Sequence, residues 1–241
     1  MTGANAHADD WAERLEARYR PMLESSPSTT ARYQAHLNLG LLACRGTDMA
    51  EARAHLEAAA AAGIDDLSER AARGAVTNDP IALELPLMLT AAFGDERVRQ
   101  AAADLPREPW FGESQWHPDL QVLAAALDAL RNLSARRPLA AVRLTEIAAA
   151  ARSLHSDDRP YPWIGALVVG LAALKAADPM ALEASIDSLL RLHEREAKAG
   201  SWQRLPEGLL ALWPLALYRL ARERGLNPAV DSPYLPPGLL G

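Results

Sequence analysis

Cysteine is nearly absent from this chain, and this restricts the cellular compartments in which we expect the protein. Among 241 residues there is one cysteine, Cys44, so the chain cannot form an internal disulfide. Cys44 lies in an apolar helical stretch, which predicts a small buried side chain and a reducing compartment. We therefore expect a cytoplasmic protein.

Long apolar segments are also missing. The first residues, MTGANAHADDWAERLE, carry charges where a secretory signal needs an apolar core, so we expect no export. The longest apolar run, 161–174, contains glycine and proline and is shorter than the roughly 20 residues that cross a bilayer. We predict a buried helix there, no membrane partner, and a flexible N-terminus over residues 1–8.

The familiar motifs of catalysis and ligand binding are absent as well. The six histidines never form an i, i+4 pair around a glutamate, and a zinc site lacks its second cysteine. Neither a glycine-rich nucleotide loop nor a G-x-S-x-G turn occurs. The net charge of −6 disfavours nucleic acid and leaves room for a basic protein partner. We expect no cofactor, no metal and no catalytic residues.

Charged clusters do occur, and each has a structural interpretation. Asp65-Asp66 and Asp157-Asp158 adjoin predicted helix starts, where carboxylates favour the positive end of the helix dipole. Two mixed-sign runs, 193–196 and 219–224, are interpreted as solvated helix faces. None of the four clusters predicts acid–base chemistry.

Apolar residues recur at three- and four-residue steps along most of the chain, while β-branched residues and hairpin-turn dipeptides are few. This pattern predicts an all-α fold. A first helix spans 9–24, and four helical hairpins follow at 29–63, 80–103, 119–154 and 162–199, with N-caps at Ser28 or Thr29 and at Asp178. No strict period holds. We predict one domain over 9–241, built as an irregular TPR- or HEAT-like stack of αα-hairpins.

One connection, the segment 105–118 with the sequence LPREPWFGESQWHP, is long for a compact domain. Its aromatic residues Trp110, Phe111 and Trp116 favour a loop that is pinned into the core. A binding surface is the alternative, because long loops often carry function.

The C-terminal stretch 205–240 is the segment around which we expect the rest to be organised. Pro206 and Gly225 predict the two ends of one helix of about five turns, bent by Pro214 and covered on more than one side. Four further prolines then predict an extended tail over 226–241. The tail carries apolar residues that we expect to lie on the bundle: Tyr234, Leu235, Leu239 and Leu240.

This same stretch resembles a known family. The order LWPLALYRLARERGL, a short spacer and DSPYLPPGLL is similar to the end of the Imm49 family, immunity proteins of bacterial polymorphic toxin systems. A second immunity family, PoNi, has a comparable all-α domain and tail. The matching positions have a structural character and are Trp213, Pro214, Gly225, Asp231, Pro233, Tyr234 and Pro236. The resemblance implies a non-catalytic cytoplasmic protein that binds and neutralises a cognate toxin.

Two alternatives to this hypothesis stay open. Stacked hairpins also suit a scaffold or regulator that binds a peptide or protein in a concave groove. The second alternative is an all-α enzyme with a site around Trp110, Trp116 and His117. For a protein partner, aromatic anchors are the usual centre of an interface, so we predict that Trp110, Trp116, His117 and Tyr161 bind it wherever they are exposed. The oligomeric state is left open.

Overall fold

The protein is described here by a computed structural model over residues 4–26, 28–46, 49–75, 80–110, 118–139, 141–153 and 162–240. No strand occurs in these ranges, which confirms the predicted all-α class. Within the same ranges, none of the helices is both long and apolar enough to cross a bilayer. The helices are α1 (Ala4–Ser25), α2 (Thr29–Ala43), α3 (Met49–Ala72), α4 (Ile81–Phe93), α5 (Glu96–Asp104), α6 (Arg107–Trp110), α7 (Pro118–Ser134), α8 (Ala141–Ser153), α9 (Trp163–Ala176), α10 (Pro179–Ala199), a 3₁₀ helix (Pro206–Leu209), α11 (Leu212–Arg222) and α12 (Pro237–Leu240).

Helical hairpins form where the sequence predicts them, and their starts carry side-chain caps. Helices α2 and α3 pack against each other, as do α9 and α10. The Ser28 hydroxyl accepts from the backbone N–H of Ala31, and the Asp178 carboxylate accepts from that of Ala181, 3.0 Å away. Both predicted N-caps are therefore confirmed.

Helices α4 and α11 form the centre of the molecule. Helix α4 packs against α3, α7 and α11, and α11 packs in addition against α9 and α10. All residues from 86 to 93 in α4 are buried, and so are residues 212–217 in α11. The prediction that the C-terminal helix is covered on more than one side is thus confirmed. The hairpins surround this central pair.

Helix α3 is longer than the sequence predicts, because Gly63 does not end it. A Cβ atom at position 63 would lie 3.1 Å from the ring carbon Cδ2 of Tyr33, so glycine here lets α2 approach α3. Asp65 and Asp66 consequently lie in the interior of α3, and the capping interpretation is wrong for them. The buried Asp66 instead accepts a hydrogen bond from the Thr30 hydroxyl. The second pair, Asp157-Asp158, lies outside the described residues.

The predicted five-turn helix at the C-terminus is two helices. Leu210 and Ala211 have non-helical backbone angles and separate the 3₁₀ helix from α11. Pro214 is the third residue of α11, where a backbone N–H would have no partner within the helix, so it belongs to the helix start and bends nothing. Gly225 ends the segment as predicted, with a φ of 76°, and the N–H of Leu226 donates to the Ala221 carbonyl.

The tail after Gly225 packs onto the bundle. Leu235 and Leu239 are buried, the N–H of Ala211 donates to the Tyr234 carbonyl at 3.0 Å, and an Arg53 guanidinium nitrogen donates to the Gly238 carbonyl at 3.0 Å. Residues Pro237–Leu240 of the tail form the helical turn α12, because a proline at the first helical position needs no N–H partner. The prediction of an extended tail is therefore wrong for this final turn.

The run 219–224 is only partly the solvated face that its mixed charges indicate. The Arg99 guanidinium on α5 donates two hydrogen bonds to the Glu223 carboxylate, at 2.6 and 2.7 Å. Arg224 is half-buried and donates to the Leu133 carbonyl at 2.7 Å. These contacts fasten the end of α11 to α5 and α7.

Two smaller differences concern α1 and Cys44. Helix α1 begins at Ala4, five residues before the predicted start at Asp9. The Cys44 side chain is half-buried against the core, with its thiol donating to the Gly40 carbonyl. Burial raises the pKa of this thiol to about 12, so it is protonated at neutral pH.

Candidate functional site

A cleft of about 580 Å³ opens between α4, α10 and the start of α11, and we treat it as the candidate site. The 3₁₀ helix and the beginning of α9 complete its walls. Three tryptophans and six leucines contribute to the lining. The residues used below are Ile81, Glu84, Trp163, His193, Arg195, Glu196, Trp202, Leu205, Glu207 and Trp213.

Glu84 and Trp213 meet in this cleft. Glu84 lies in the first turn of α4, where a carboxylate favours the helix dipole, and Trp213 lies in the first turn of α11. The indole Nε1–H donates to Glu84 Oε1 at 2.8 Å. Burial raises the pKa of Glu84 to about 7, although the indole hydrogen bond acts in the opposite direction. The carboxyl group is thus balanced between its two protonation states near neutral pH.

His193 faces the same cleft from α10 and contradicts the interpretation of the run 193–196 as a solvated face. It is 6% exposed, and its Nε2 lies 3.3 Å from the Gly208 carbonyl oxygen. The Trp202 and Tyr234 rings lie 5.3 and 4.8 Å from its ring centroid. Burial lowers the pKa of His193 to about 4, so the imidazole is neutral at physiological pH. It serves as a packed ring that links α10, the 3₁₀ helix and the tail.

The charges around the cleft are mainly acidic. Glu84, Glu196 and Glu207 contribute carboxyl groups, and Arg195 is the basic residue of the lining. Arg195 lies 3.6 Å from Glu196 in an ion pair. Two apolar side chains of the lining, Ile81 and Leu205, are 40% and 45% exposed. The cleft therefore combines aromatic walls, an acidic balance and an exposed apolar edge.

Hydrogen bonds within the protein engage the two titratable groups of the cleft that have unusual pKa values. Glu84 is engaged with an indole, and His193 with a backbone carbonyl. Over the described part of the chain, no three His, Cys, Asp or Glu side chains come together as a metal site. Elsewhere, His36 and His55 of the α2–α3 hairpin have their Nδ1 atoms 3.0 Å apart, and this hydrogen-bonded pair lies outside the cleft.

The four residues predicted to bind a partner are not brought together in the cleft. Trp110 is fully buried, with the Arg70 guanidinium 5.3 Å from its ring centroid, so it does not meet the condition of exposure. It anchors the start of the segment 105–118. Trp116, His117 and Tyr161 lie outside the described residues.

The residues of the C-terminal motif have distinct positions. Trp213 is in the cleft, Pro214 opens α11 and Gly225 ends the segment. Tyr234 packs on His193, while Asp231 and Pro233 are exposed and Pro236 is half-buried. The Tyr234 N–H donates to the Ser232 hydroxyl, and the Leu235 N–H to the Ser232 carbonyl, which turns the tail toward the core.

Sequence reasoning missed Glu84, His193 and Trp202. The single charged residue of the segment 81–93, Glu84, was the available signal, because an acid among apolar residues requires a partner. The partner itself, Trp213, is 129 residues away, and no local pattern connects the two.

Comparison with known proteins gives one result. A family model described as immunity protein 49 (Imm49) matches residues 46–239. The matched span contains every residue named in the cleft and leaves α1 and α2 outside. No curated protein and no solved structure matches the chain.

Proposed function

The chain belongs to the Imm49 family of immunity proteins, and on that premise we propose that it binds a cognate bacterial toxin and neutralises it by stoichiometric binding, without catalysis. The family match is the observation that carries this proposal. It extends the similarity from the C-terminal motif to most of the chain.

The site supports a binding role. The cleft offers aromatic and apolar surface with a few polar groups, which is the usual composition of an interface core. Its two titratable groups of unusual pKa, Glu84 and His193, are each held by a structural hydrogen bond. We propose the cytoplasm as the place of action, because the single Cys44 cannot form an internal disulfide.

Co-expression tests this proposal. The protein is produced together with the toxin encoded beside it, and growth is compared with that of cells making the toxin alone. An inactivated toxin variant is then used for co-purification and for measuring affinity. We expect rescue of growth and a dissociation constant on the order of nanomolar, about 12 kcal/mol, since neutralisation requires nearly complete occupancy.

An unrelated toxin serves as the specificity control. The proposal fails if the folded protein neither rescues growth nor co-purifies with the neighbouring toxin. In that case a scaffold that binds a cellular peptide or protein becomes the leading hypothesis, because the same cleft would suit a peptide.

A further inference from the structure

The aromatic walls of the cleft define what kind of group it accepts. Trp163, Trp202 and Trp213 all contribute to its lining. The face of an indole ring attracts cations, and arginine is the cation found most often on such faces in proteins. Trp202 is partly exposed, and its ring centroid lies 5.3 Å from that of the neutral His193. An incoming planar cation therefore meets aromatic surface at Trp202.

The charged residues of the cleft also favour a cation. Three acidic residues face one basic residue, Arg195, whose charge is engaged by Glu196. Glu207 lies in the first turn of the 3₁₀ helix, and the ion pairs found among the described residues do not include it. Acidic groups in a cleft with apolar walls focus a negative potential, which attracts a positive group and repels an anion.

A neutral apolar occupant would fit the walls less well than a cation. It would cover the Glu84 and Glu207 carboxyl groups and remove water from them without replacing their hydrogen bonds, which is costly. A guanidinium supplies five N–H donors and a flat face, so it satisfies the carboxylates and the indoles together. The exposed Ile81 and Leu205 can then cover its aliphatic stem.

We propose that this cleft is the toxin-binding centre and that it receives an arginine side chain of the toxin. The inference rests on the proposed function and adds to it the chemistry of the contact. Trp202 and Glu207 are the two residues that act on the arginine, through its face and its charge respectively.

The first test uses a small probe and needs no toxin. Arginine amide is titrated into the ¹⁵N-labelled protein, and the indole N–H signals are followed by NMR, with the Trp202 signal assigned from Trp202→Phe. We expect saturable shifts of the cleft indoles with a dissociation constant on the order of 10 mM, as for a fragment of an interface. Citrulline amide, the neutral isostere, is expected to leave these signals unchanged.

Two variants localise the effect. Glu207→Gln is expected to weaken binding of arginine amide by about 3- to 5-fold, the size of a partly exposed charge contact. Glu13→Gln removes the same charge from the exposed face of α1 and serves as the matched control, with unchanged binding expected. Equal shifts with citrulline amide, or no saturable shift with arginine amide, would overturn the inference whether or not the protein neutralises a toxin.

The second test separates the inference from the proposed function. The inactivated toxin is bound to the wild type, to Glu207→Gln and to Trp202→Ala, and melting curves verify that both variants are folded. We expect the two variants to lose at least about 10-fold in affinity, since both alter the centre of the interface. If the wild type binds the toxin and both variants bind it equally well, the cleft is not the toxin site, although the immunity function stands.

Discussion

At each end of α11, a glutamate accepts hydrogen bonds from a donor on a different helix. The two contacts differ in whether the donor carries a positive charge. At the C-terminal end, Glu223 accepts two hydrogen bonds from the Arg99 guanidinium, whose second nitrogen also donates to the Ala91 carbonyl. At the N-terminal end, Glu84 accepts one hydrogen bond from the neutral Trp213 indole. The first carboxylate has a compensating charge, and the second has only a dipole.

This difference separates a structural contact from a binding site. An ion pair carries its own compensating charge and needs no cation from another molecule, so its function is to hold elements together. A half-buried acid without a cation keeps a raised pKa, as Glu84 does, and it gains most from a positive group brought by another molecule. The cleft end of α11 is therefore the end at which we expect a partner.

Removing the tail is expected to cause the largest loss of stability at the cleft end of α11. Deletion of residues 226–241 removes the buried Leu235 and Leu239, the Tyr234 ring on His193 and the hydrogen bond to Ala211. Burial of two leucines contributes about 3–6 kcal/mol before ordering costs. We expect the melting temperature to fall by about 10 °C, or the protein to become insoluble.

A point substitution sharpens the same prediction. Leu239→Ala should lower the free energy of unfolding by about 2–4 kcal/mol, because Leu239 is completely buried. Met180→Ala is the control, since Met180 is 81% exposed, and a change within about 0.5 kcal/mol is expected. An unchanged melting curve after the deletion would show that the tail contributes nothing to the fold.

Removing the positive charge of Arg99, at the C-terminal end of α11, should cause the next largest loss of stability. Arg99→Ala leaves the Glu223 carboxylate without its cation, and the two side chains are only 8% and 24% exposed. We expect a loss of about 2–4 kcal/mol in urea unfolding, slightly below the range for a fully buried pair because Glu223 keeps some solvent contact.

An exposed ion pair gives the contrast for this measurement. Arg73 and Glu69 on α3 are 65% and 51% exposed, so Arg73→Ala should cost less than about 1 kcal/mol. The double variant Arg99→Leu with Glu223→Leu should recover part of the loss, since no unpaired charge remains. If Arg99→Ala and Arg73→Ala cost the same, the Arg99–Glu223 contact is not a structural fastening.

The features that sequence predicted correctly are local ones. The helical class, the caps at Ser28 and Asp178 and the stop at Gly225 each depend on residues within one or two turns of one another. The predicted end of α3 at Gly63 was wrong, and the reason is a contact with another helix. Gly63 has the usual signature of a helix end, but it was needed for the close approach of Tyr33, which belongs to another helix.

The site could not be predicted, because its contacts join distant parts of the chain. Trp213 and Glu84 are 129 residues apart, and Arg99 and Glu223 are 124 apart. His193 occurs in a charged run that is typical of solvent-exposed helix faces, and only the packing of the tail shows that it is buried. Periodicity indicates which face of a helix is apolar, and it does not indicate which other helix that face contacts.

The smallest expected effect comes from replacing the Glu84 charge without changing its shape. In the folded protein the pKa of Glu84 is about 7, above the 4.5 of an unperturbed glutamate, so the folded state holds its proton over a wider range. Stability from this group is complete below pH 4.5 and is lost as the pH rises through 7. Glu84→Gln keeps an oxygen for the Trp213 indole and never ionises, so its advantage over the wild type should grow from near zero at pH 4 to about 2–3 kcal/mol at pH 8. His193 titrates in both proteins, and its contribution cancels when their urea unfolding curves are compared at each pH. A constant difference across this range would mean that the cleft already compensates the Glu84 charge, and the contrast between the two ends of α11 would disappear.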